Sequence, residues 1–509
     1  MATREAQTAT LREQGIRKTS LDKDLGKIGR LEDATRLLSR RQFAPGAALL
    51  FLAMAGIIAS FHIGSAPNAV IIIAAAVIGG YMALNIGAND VANNVGPAVG
   101  ARALTMTGAL FMAAIFESAG ALIAGGNVVE TISKGIVDPA LVPDADTFVW
   151  VMMSALLSSA IWVNLATYLG APVSTTHAIV GGVMGAGIAA VGISAIDWMV
   201  IWAITMSWIL SPLIGGVIAA AFLAFIKVNV IYQDDKIAAA RRWVPMLIAV
   251  MAASFSAYLL IKGLSHVWKP AFLEVVGFAA AVFVVVHLLV KPWVFAQSEG
   301  LENRNQSLRK LFHLPLICSA ALLSFAHGAN DVANAVGPLA AILHSVESGD
   351  ARATSVELPF WVMLIGAFGI SLGLFLFGPR IVRMVGEQIT KMNPMRAFCV
   401  ALSAAITVIV ASGLGLPVSS THIAVGAVFG VGFFREYYTT RSRRRRVHVK
   451  RHMVRHAHPK SARWDPEESR RRKLVRRSHF MGIVAAWIIT VPATAGLAAL
   501  MFYGTAYFL

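Results

Sequence analysis

The sequence predicts an all-α integral membrane protein built from two inverted-topology repeats, with re-entrant helical hairpins that meet near the bilayer midplane. Three observations predict this: the hydropathy of the chain, two unusual strings that each occur twice in the same order, and the placing of Lys and Arg between apolar segments.

Hydropathy sets the class. Of 509 residues 57% are hydrophobic and only 14% charged, and mean hydropathy is +0.67, far too apolar for an ordinary soluble domain. Apolar runs close to the ~20 residues that cross a hydrocarbon core recur along the chain, whereas a membrane β-barrel would show short alternating segments. They read as 45–62, 66–86, 103–125, 148–168, 176–192, 198–225, 243–263, 271–290, 313–334, 359–378, 396–412, 418–434 and 480–508. Cys318 and Cys399 both lie inside such runs, which leaves no disulfide scaffold and no cysteine metal cluster.

The net charge of +17 raises the question of nucleic acid, but the excess sits in two polar segments beside apolar helices. One is Met1 to Arg41. The other runs from Arg435 to Arg477 and includes Arg443, Arg444, Arg445 and Arg446. Lys and Arg collect in loops kept in the cytoplasm, so topology accounts for both without a nucleic-acid partner, and anionic lipid headgroups are the expected contact of the second. Met1 to Arg41 has mixed charge and no apolar core, so it reads as a cytoplasmic arm and not as a signal peptide.

The repeats come next. Gly87-Ala88-Asn89-Asp90-Val91-Ala92-Asn93, closed by Gly96-Pro97, returns as Gly328-Ala329-Asn330-Asp331-Val332-Ala333-Asn334, closed by Gly337-Pro338. Pro172-Val173-Ser174-Thr175-Thr176-His177 returns as Pro417-Val418-Ser419-Ser420-Thr421-His422. The order and similar spacing make these two copies of one unit. The arm and the loops with Arg241 and Arg242, Arg304 and Arg309, Arg380 and Arg383, and the Arg443 cluster should face inward, and the acidic loop with Glu130, Asp138, Asp144 and Asp146 outward. These placements agree only if 148–192 and 396–434 are re-entrant hairpins turning at the Pro-Val-Ser strings, which inverts one copy relative to the other. The resulting plan is a cytoplasmic arm (1–44), an extra transmembrane helix (45–65), a first transport repeat (66–226), linking helices and loops (227–312), a second repeat (313–434), a basic cytoplasmic loop (435–479) and a final transmembrane helix (480–509). Polar breaks at matching places in two halves point to a secondary transporter with its site near the midplane.

The residues suggest what the site holds. A carboxylate inside an apolar helix costs on the order of 3 kcal/mol on insertion scales, so Asp90 and Asp331 should face a polar cavity. Asn89 with Asn93, and Asn330 with Asn334, are four apart and share a helix face, which puts amide oxygens beside each carboxylate. Oxygen ligands of that kind suit sodium, and alternatively the carboxylate carries a proton. In each hairpin a proline precedes three hydroxyl residues that open a helix, so free backbone N–H groups and Ser174, Thr175, Thr176, Ser419, Ser420 and Thr421 form an anion cradle. No Lys or Arg lies in either string, as release requires. Glu117, His177 and His422 are further candidates: Glu117 as an extra cation or proton ligand, the histidines as carbonyl caps, proton sensors or anion contacts. Gly181 with Gly185, and Gly426 with Gly430, read as faces that let the hairpin arms pack closely.

At these strings the chain resembles the PiT family of inorganic phosphate transporters, over nearly everything from about residue 66 onward. The resemblance implies cation coordination at the Asn-Asp strings, phosphate at the hydroxyl triplets, and a symporter driven by sodium or protons; a bacterial-type plasma (inner) membrane is the expected location, with the N-terminus placed in the cytoplasm by the Lys and Arg pattern. It also implies that phosphate sometimes travels with a divalent metal. No cofactor is expected; the partners expected are phosphate, the coupling cation, membrane lipids and a second copy in a homodimer. Sulfate carriage on the same fold is the nearest alternative. A membrane enzyme is the next, but no activated nucleophile or zinc motif supports it. A channel fits less well, because the strings build a closed midplane site and line no pore.

Overall fold

The computed structural model describes residues 42–63, 68–263, 270–349, 358–388, 392–441 and 477–508. The expected arm and the Arg443 cluster lie outside them. The chain divides into two units at Phe51 and Leu52. Of the first unit the described part is the opening of helix α1 (Gln42–Ile63); the second unit holds all the later described helices.

That unit is helical, and among the described residues the only β pairing is the bridge Val137 to Ile196. In chain order come α2 (Ala69–Gly100), α3 (Met106–Ala124), α4 (Ala145–Leu169), α5 (Thr175–Val191), α6 (Trp198–Ile226), α7 (Lys236–Tyr258) and α8 (Phe272–Ser298). They are followed by α9 (Asn305–Leu311), α10 (His313–Asp331), α11 (Ala333–Ser348), α12 (Phe360–Leu376), α13 (Gly378–Gln388), α14 (Pro394–Gly413), α15 (Ser420–Arg441) and α16 (Arg477–Phe508). Ten helices among the described residues are long and apolar enough to cross a membrane. Large apolar side chains such as Phe272, Leu273, Leu288 and Leu289 on α8 face outward, as a lipid-facing helix requires. The chain is a multi-pass membrane protein.

Three expectations are corrected in detail. The segment read as 66–86 continues unbroken to Gly100, so the first Asn-Asp string lies mid-helix. Arg380 and Arg383 sit in α13 and not in a loop. The basic stretch expected from Arg435 starts later, because α15 runs on to Arg441.

Both hairpins form, by the same local chemistry. Helix α4 stops at Gly170, whose φ of 76° is the left-handed conformation that glycine adopts without a Cβ penalty; Ala171 N–H closes the stop on Ala166 O at 2.8 Å. Pro172 prevents the helix resuming, and Ser174 caps α5 by accepting the His177 N–H at 3.1 Å. The second hairpin repeats this at Gly415 (φ 71°), Leu416 N–H to Ala411 O at 3.0 Å, Pro417, and Ser419 accepting from His422 N–H at 3.2 Å. The arms of the first run antiparallel: Ser159 Oγ donates to Ala178 O across them at 2.9 Å, and a Cβ on Gly182 would strike Ser159 and Ala155.

The two halves interlock at matched glycines. A Cβ on Gly87 of α2 would fall on the Ile370 carbonyl of α12, and one on Gly373 of α12 on the Leu84 carbonyl of α2. In the other pair, Gly328 of α10 meets the Glu117 carbonyl of α3, and Gly120 of α3 the Phe325 carbonyl of α10. Each Asn-Asp helix therefore packs, backbone to backbone, on a helix from the other half, the close approach that small residues permit in a membrane. The glycines beyond the hydroxyl triplets do likewise, which corrects the reading that they join hairpin arms. Gly181 and Gly185 lie against Val491 and Ala495 of α16, and Gly426 and Gly430 against Pro212 and Gly216 of α6.

Candidate functional site

Each hairpin tip is held by an asparagine of its own half. Asn89 Nδ2 donates to Thr167 Oγ1 (2.9 Å) and Ala171 O (3.3 Å), while its Oδ1 accepts the Val173 N–H (3.2 Å). Asn330 reproduces the pattern with Ser412 Oγ (2.8 Å), Leu416 O (3.3 Å) and the Val418 N–H (3.3 Å). The amide oxygens expected to face a cation are turned onto the tips. The tips also touch: Thr176 Oγ1 donates to Val418 O at 3.0 Å.

The tips converge on the two aspartates, all of it buried. Asp90 accepts one hydroxyl from each hairpin, Thr175 at 2.9 Å and Thr421 at 3.1 Å. Asn93 Nδ2 donates to Thr421 Oγ1 at 2.8 Å, and Asn334 Nδ2 to Thr175 and Thr176, both at 3.3 Å. Asp331 accepts from Ser420 at 3.1 Å. Its second oxygen, Asp331 Oδ1, and Asn334 Oδ1 are buried without hydrogen-bond partners. An oxygen left so in an apolar interior is costly unless something positive or a donor meets it. Carboxylate and amide oxygens of this kind are hard donors that could hold a small cation.

A residue that sequence reasoning missed completes the centre. His327 Nε2 lies 2.9 Å from Asp331 Oδ2 and 3.9 Å from Asp90 Oδ2, and its Nδ1 lies 3.3 Å from Glu117 Oε2. Asp90, His327 and Asp331 each bring a ligand atom within 4.8 Å of the others. Glu117 is held in turn by Asn94 Nδ2 at 2.7 Å. The signal for His327 was the residue before each Gly-Ala-Asn-Asp string, Ile86 in the first copy and His327 in the second; Asn94 was likewise signalled by its contrast with Ala335.

The structure thus brings together Asp90, Asp331, Asn93, Asn334, Thr175, Thr176, Ser420, Thr421 and Glu117. Asn89 and Asn330 hold the tips, Ser174 and Ser419 cap helices, and the first turns of α5 and α15 carry N–H groups of the kind that a helix start leaves without an intrahelical acceptor. His177 and His422 do not reach the carboxylates; their rings meet each other at 4.2 Å between centroids.

Known proteins share long stretches of this sequence and its fold. A family model described as "Phosphate transporter family" matches residues 86–498. Similar chains named as candidate phosphate permeases include one from Helicobacter pylori (strain J99), 44% identical over 94% of this chain and 98% of that one. Another, from Haemophilus influenzae, is 33% identical over 84% and 95%, and one from Pyrococcus abyssi 34% over 84% and 96%. Among solved structures, "The sodium-dependent phosphate transporter" superposes with a TM-score of 0.74 at 34% identity, covering 86% of this chain and all of that one. On the span and strength of these matches, this chain belongs to the phosphate transporter family.

Proposed function

We propose that this chain is a secondary-active symporter that carries inorganic phosphate together with sodium, by alternating access between two inverted repeats. The observation that carries the reading is the meeting of two hairpin tips, one from each half, on Asp90 and Asp331. A site shared by both halves is one that either half can uncover by moving.

In this reading phosphate sits against the first turns of α5 and α15, where backbone N–H groups and the hydroxyls of Thr175, Thr176, Ser420 and Thr421 surround it without a fixed cation. Sodium takes the oxygens of Asp90, Asp331, Asn93 and Asn334, neutralising the carboxylates as the anion loads. Asn89 and Asn330 position the tips and do not ligand the ion. The name of the similar solved structure favours sodium over protons. The matched exchange of packing partners between halves supports the inverted-repeat plan. A carrier of this kind makes and breaks no covalent bond, and we assign it no enzymatic step. The plasma membrane of a bacterial-type cell, with the N-terminus in the cytoplasm, is the placement consistent with the basic segments; a homodimer in that membrane is part of the same proposal.

The test is uptake of radiolabelled phosphate into proteoliposomes under a sodium gradient, then a proton gradient, with and without divalent metal, and with excess sulfate as competitor. Uptake that needs sodium, resists sulfate and disappears in Asp331→Asn is the expected result. Dependence on the proton gradient alone would reassign the ion, a metal requirement would make the cargo a metal phosphate, and inhibition by sulfate would reassign the anion.

A further inference from the structure

Behind the anion cradle four aromatic rings stand in a row: Trp208, His177, His422 and Trp487. Centroids are 3.7 Å apart for Trp208 and His177, 4.2 Å for the two histidines, and 3.5 Å for His422 and Trp487. The packing register makes the two indoles equivalent. Gly426 faces Pro212 and its counterpart Gly181 faces Val491, while Gly430 faces Gly216 and Gly185 faces Ala495. Four residues before Pro212 is Trp208, and four before Val491 is Trp487.

Equivalent positions are used unequally. Trp208 Nε1 donates to the Pro417 carbonyl, at the tip of the second hairpin, at 3.1 Å. The matching acceptor for Trp487 is the Pro172 carbonyl at the tip of the first, yet Trp487 Nε1 is buried with no hydrogen-bond partner among the described residues. An indole N–H buried without an acceptor carries a free-energy cost, so the structure holds one bond made and its mate unmade.

We propose that Trp208 and Trp487 are paired positioning residues of the transport cycle, each indole N–H holding the proline carbonyl at one hairpin tip, with one of the two engaged at a time. In the conformation described, Trp208 holds Pro417. In the conformation open to the opposite side, Trp487 holds Pro172 and Trp208 is released. The bond lost on one side is replaced by the bond made on the other, so the two conformations remain close in free energy, as a carrier that cycles requires. The histidine pair fills the space between the indoles, His177 meeting Trp208 edge-on at 88° and His422 tilted by 33° to Trp487. The inference rests on the alternating-access reading above.

The test uses Trp208→Phe and Trp487→Phe, which keep an aromatic ring at each position and delete the N–H. Each is combined with a reporter, Ala171→Cys or Leu416→Cys, beside the two prolines. Modification by a membrane-impermeant maleimide is measured in right-side-out and inside-out vesicles, with sodium-driven phosphate uptake by the native protein measured in parallel. Trp208→Phe should shift the ratio of labelling at Ala171→Cys and Leu416→Cys by about fivefold in one direction, the weight of one neutral hydrogen bond. Trp487→Phe should shift it by a similar factor the other way, and the double variant should return it close to the native ratio. Because Trp487 makes no bond here, Trp487→Phe retains every bond of this conformation and tests the idea even if Trp208→Phe does not fold. Shifts in the same direction, or none, while the native protein transports phosphate, would overturn the pairing. Opposite shifts without phosphate uptake would support the pairing and sink the phosphate reading.

Discussion

The two copies of the Asn-Asp string are nearly identical in sequence and are loaded differently. Asp90 receives a hydroxyl from each hairpin and no direct partner from its own helix other than Asn93, at 3.4 Å. Asp331 receives one hydroxyl and an imidazole from one turn earlier, and that imidazole leads on to Glu117 and Asn94. The interlocked glycines show where the difference originates. At one crossing the residues flanking the contact are His327 and Glu117; at the other they are Ile86 and Ile370. A duplicated backbone site has become two unequal sites through one polar pair standing opposite one apolar pair.

The largest predicted effect tests the shared part of that comparison. Gly87→Ala and Gly328→Ala each place a methyl group on a carbonyl of a packed helix, and neither variant should accumulate as folded protein in the membrane, read by detergent-extracted yield and size-exclusion profile. Normal recovery of either would show that the crossings give way and are not the fixed frame described here.

Next come the aspartates. Asp90→Asn keeps the shape and removes the charge on which both hairpins converge, and uptake should fall by about a hundredfold or more, equivalent to roughly 3 kcal/mol. A loss of less than about tenfold would mean that the meeting of the hairpins does not depend on that charge.

The polar pair is tested by exchange. His327→Ile or Glu117→Ile alone strands a buried polar partner and should destabilise the protein by about 3 kcal/mol. Together they recreate the Ile86 and Ile370 crossing, and the double variant should recover part of the lost thermal stability, the rest staying lost because Asn94 and Asp331 each lose a partner, while remaining impaired in sodium-dependent uptake. A double variant no more stable than the singles would mean that the pair is not one unit.

The smallest effect concerns the clamps. Asn89→Ala and Asn330→Ala each remove the same three hydrogen bonds, and each should cost about 1–2 kcal/mol with similar losses of uptake and little change in sodium dependence. A raised sodium requirement in either would return that asparagine to the cation site.

Legibility in the sequence differed from residue to residue. Asp90, Asp331, the hydroxyl triplets and the hairpin turns stood out because a carboxylate in an apolar run is costly and a rare string that recurs in order marks a duplicated site. Asn89 and Asn330 were read as ligands because helical spacing shows which face a side chain shares and not what the facing segment offers. Glycine at 181, 185, 426 and 430 signalled close packing, but small-residue spacing does not name the partner. His327 escaped notice because its counterpart in the first copy is Ile86, and Trp208 and Trp487 because an aromatic in an apolar run does not reveal what its ring meets.

By itself the sequence determined the class, the helices and the two copies of each string, because these depend on local hydropathy and on turn chemistry at Pro and Gly. The tertiary structure decided which half supplies each contact. Thr421 reaches Asp90, Glu117 reaches His327 and Trp208 reaches Pro417 across separations of more than 200 residues in chain number. Those meetings arise from how interlocked helices exchange partners, a long-range packing outcome that no local pattern encodes.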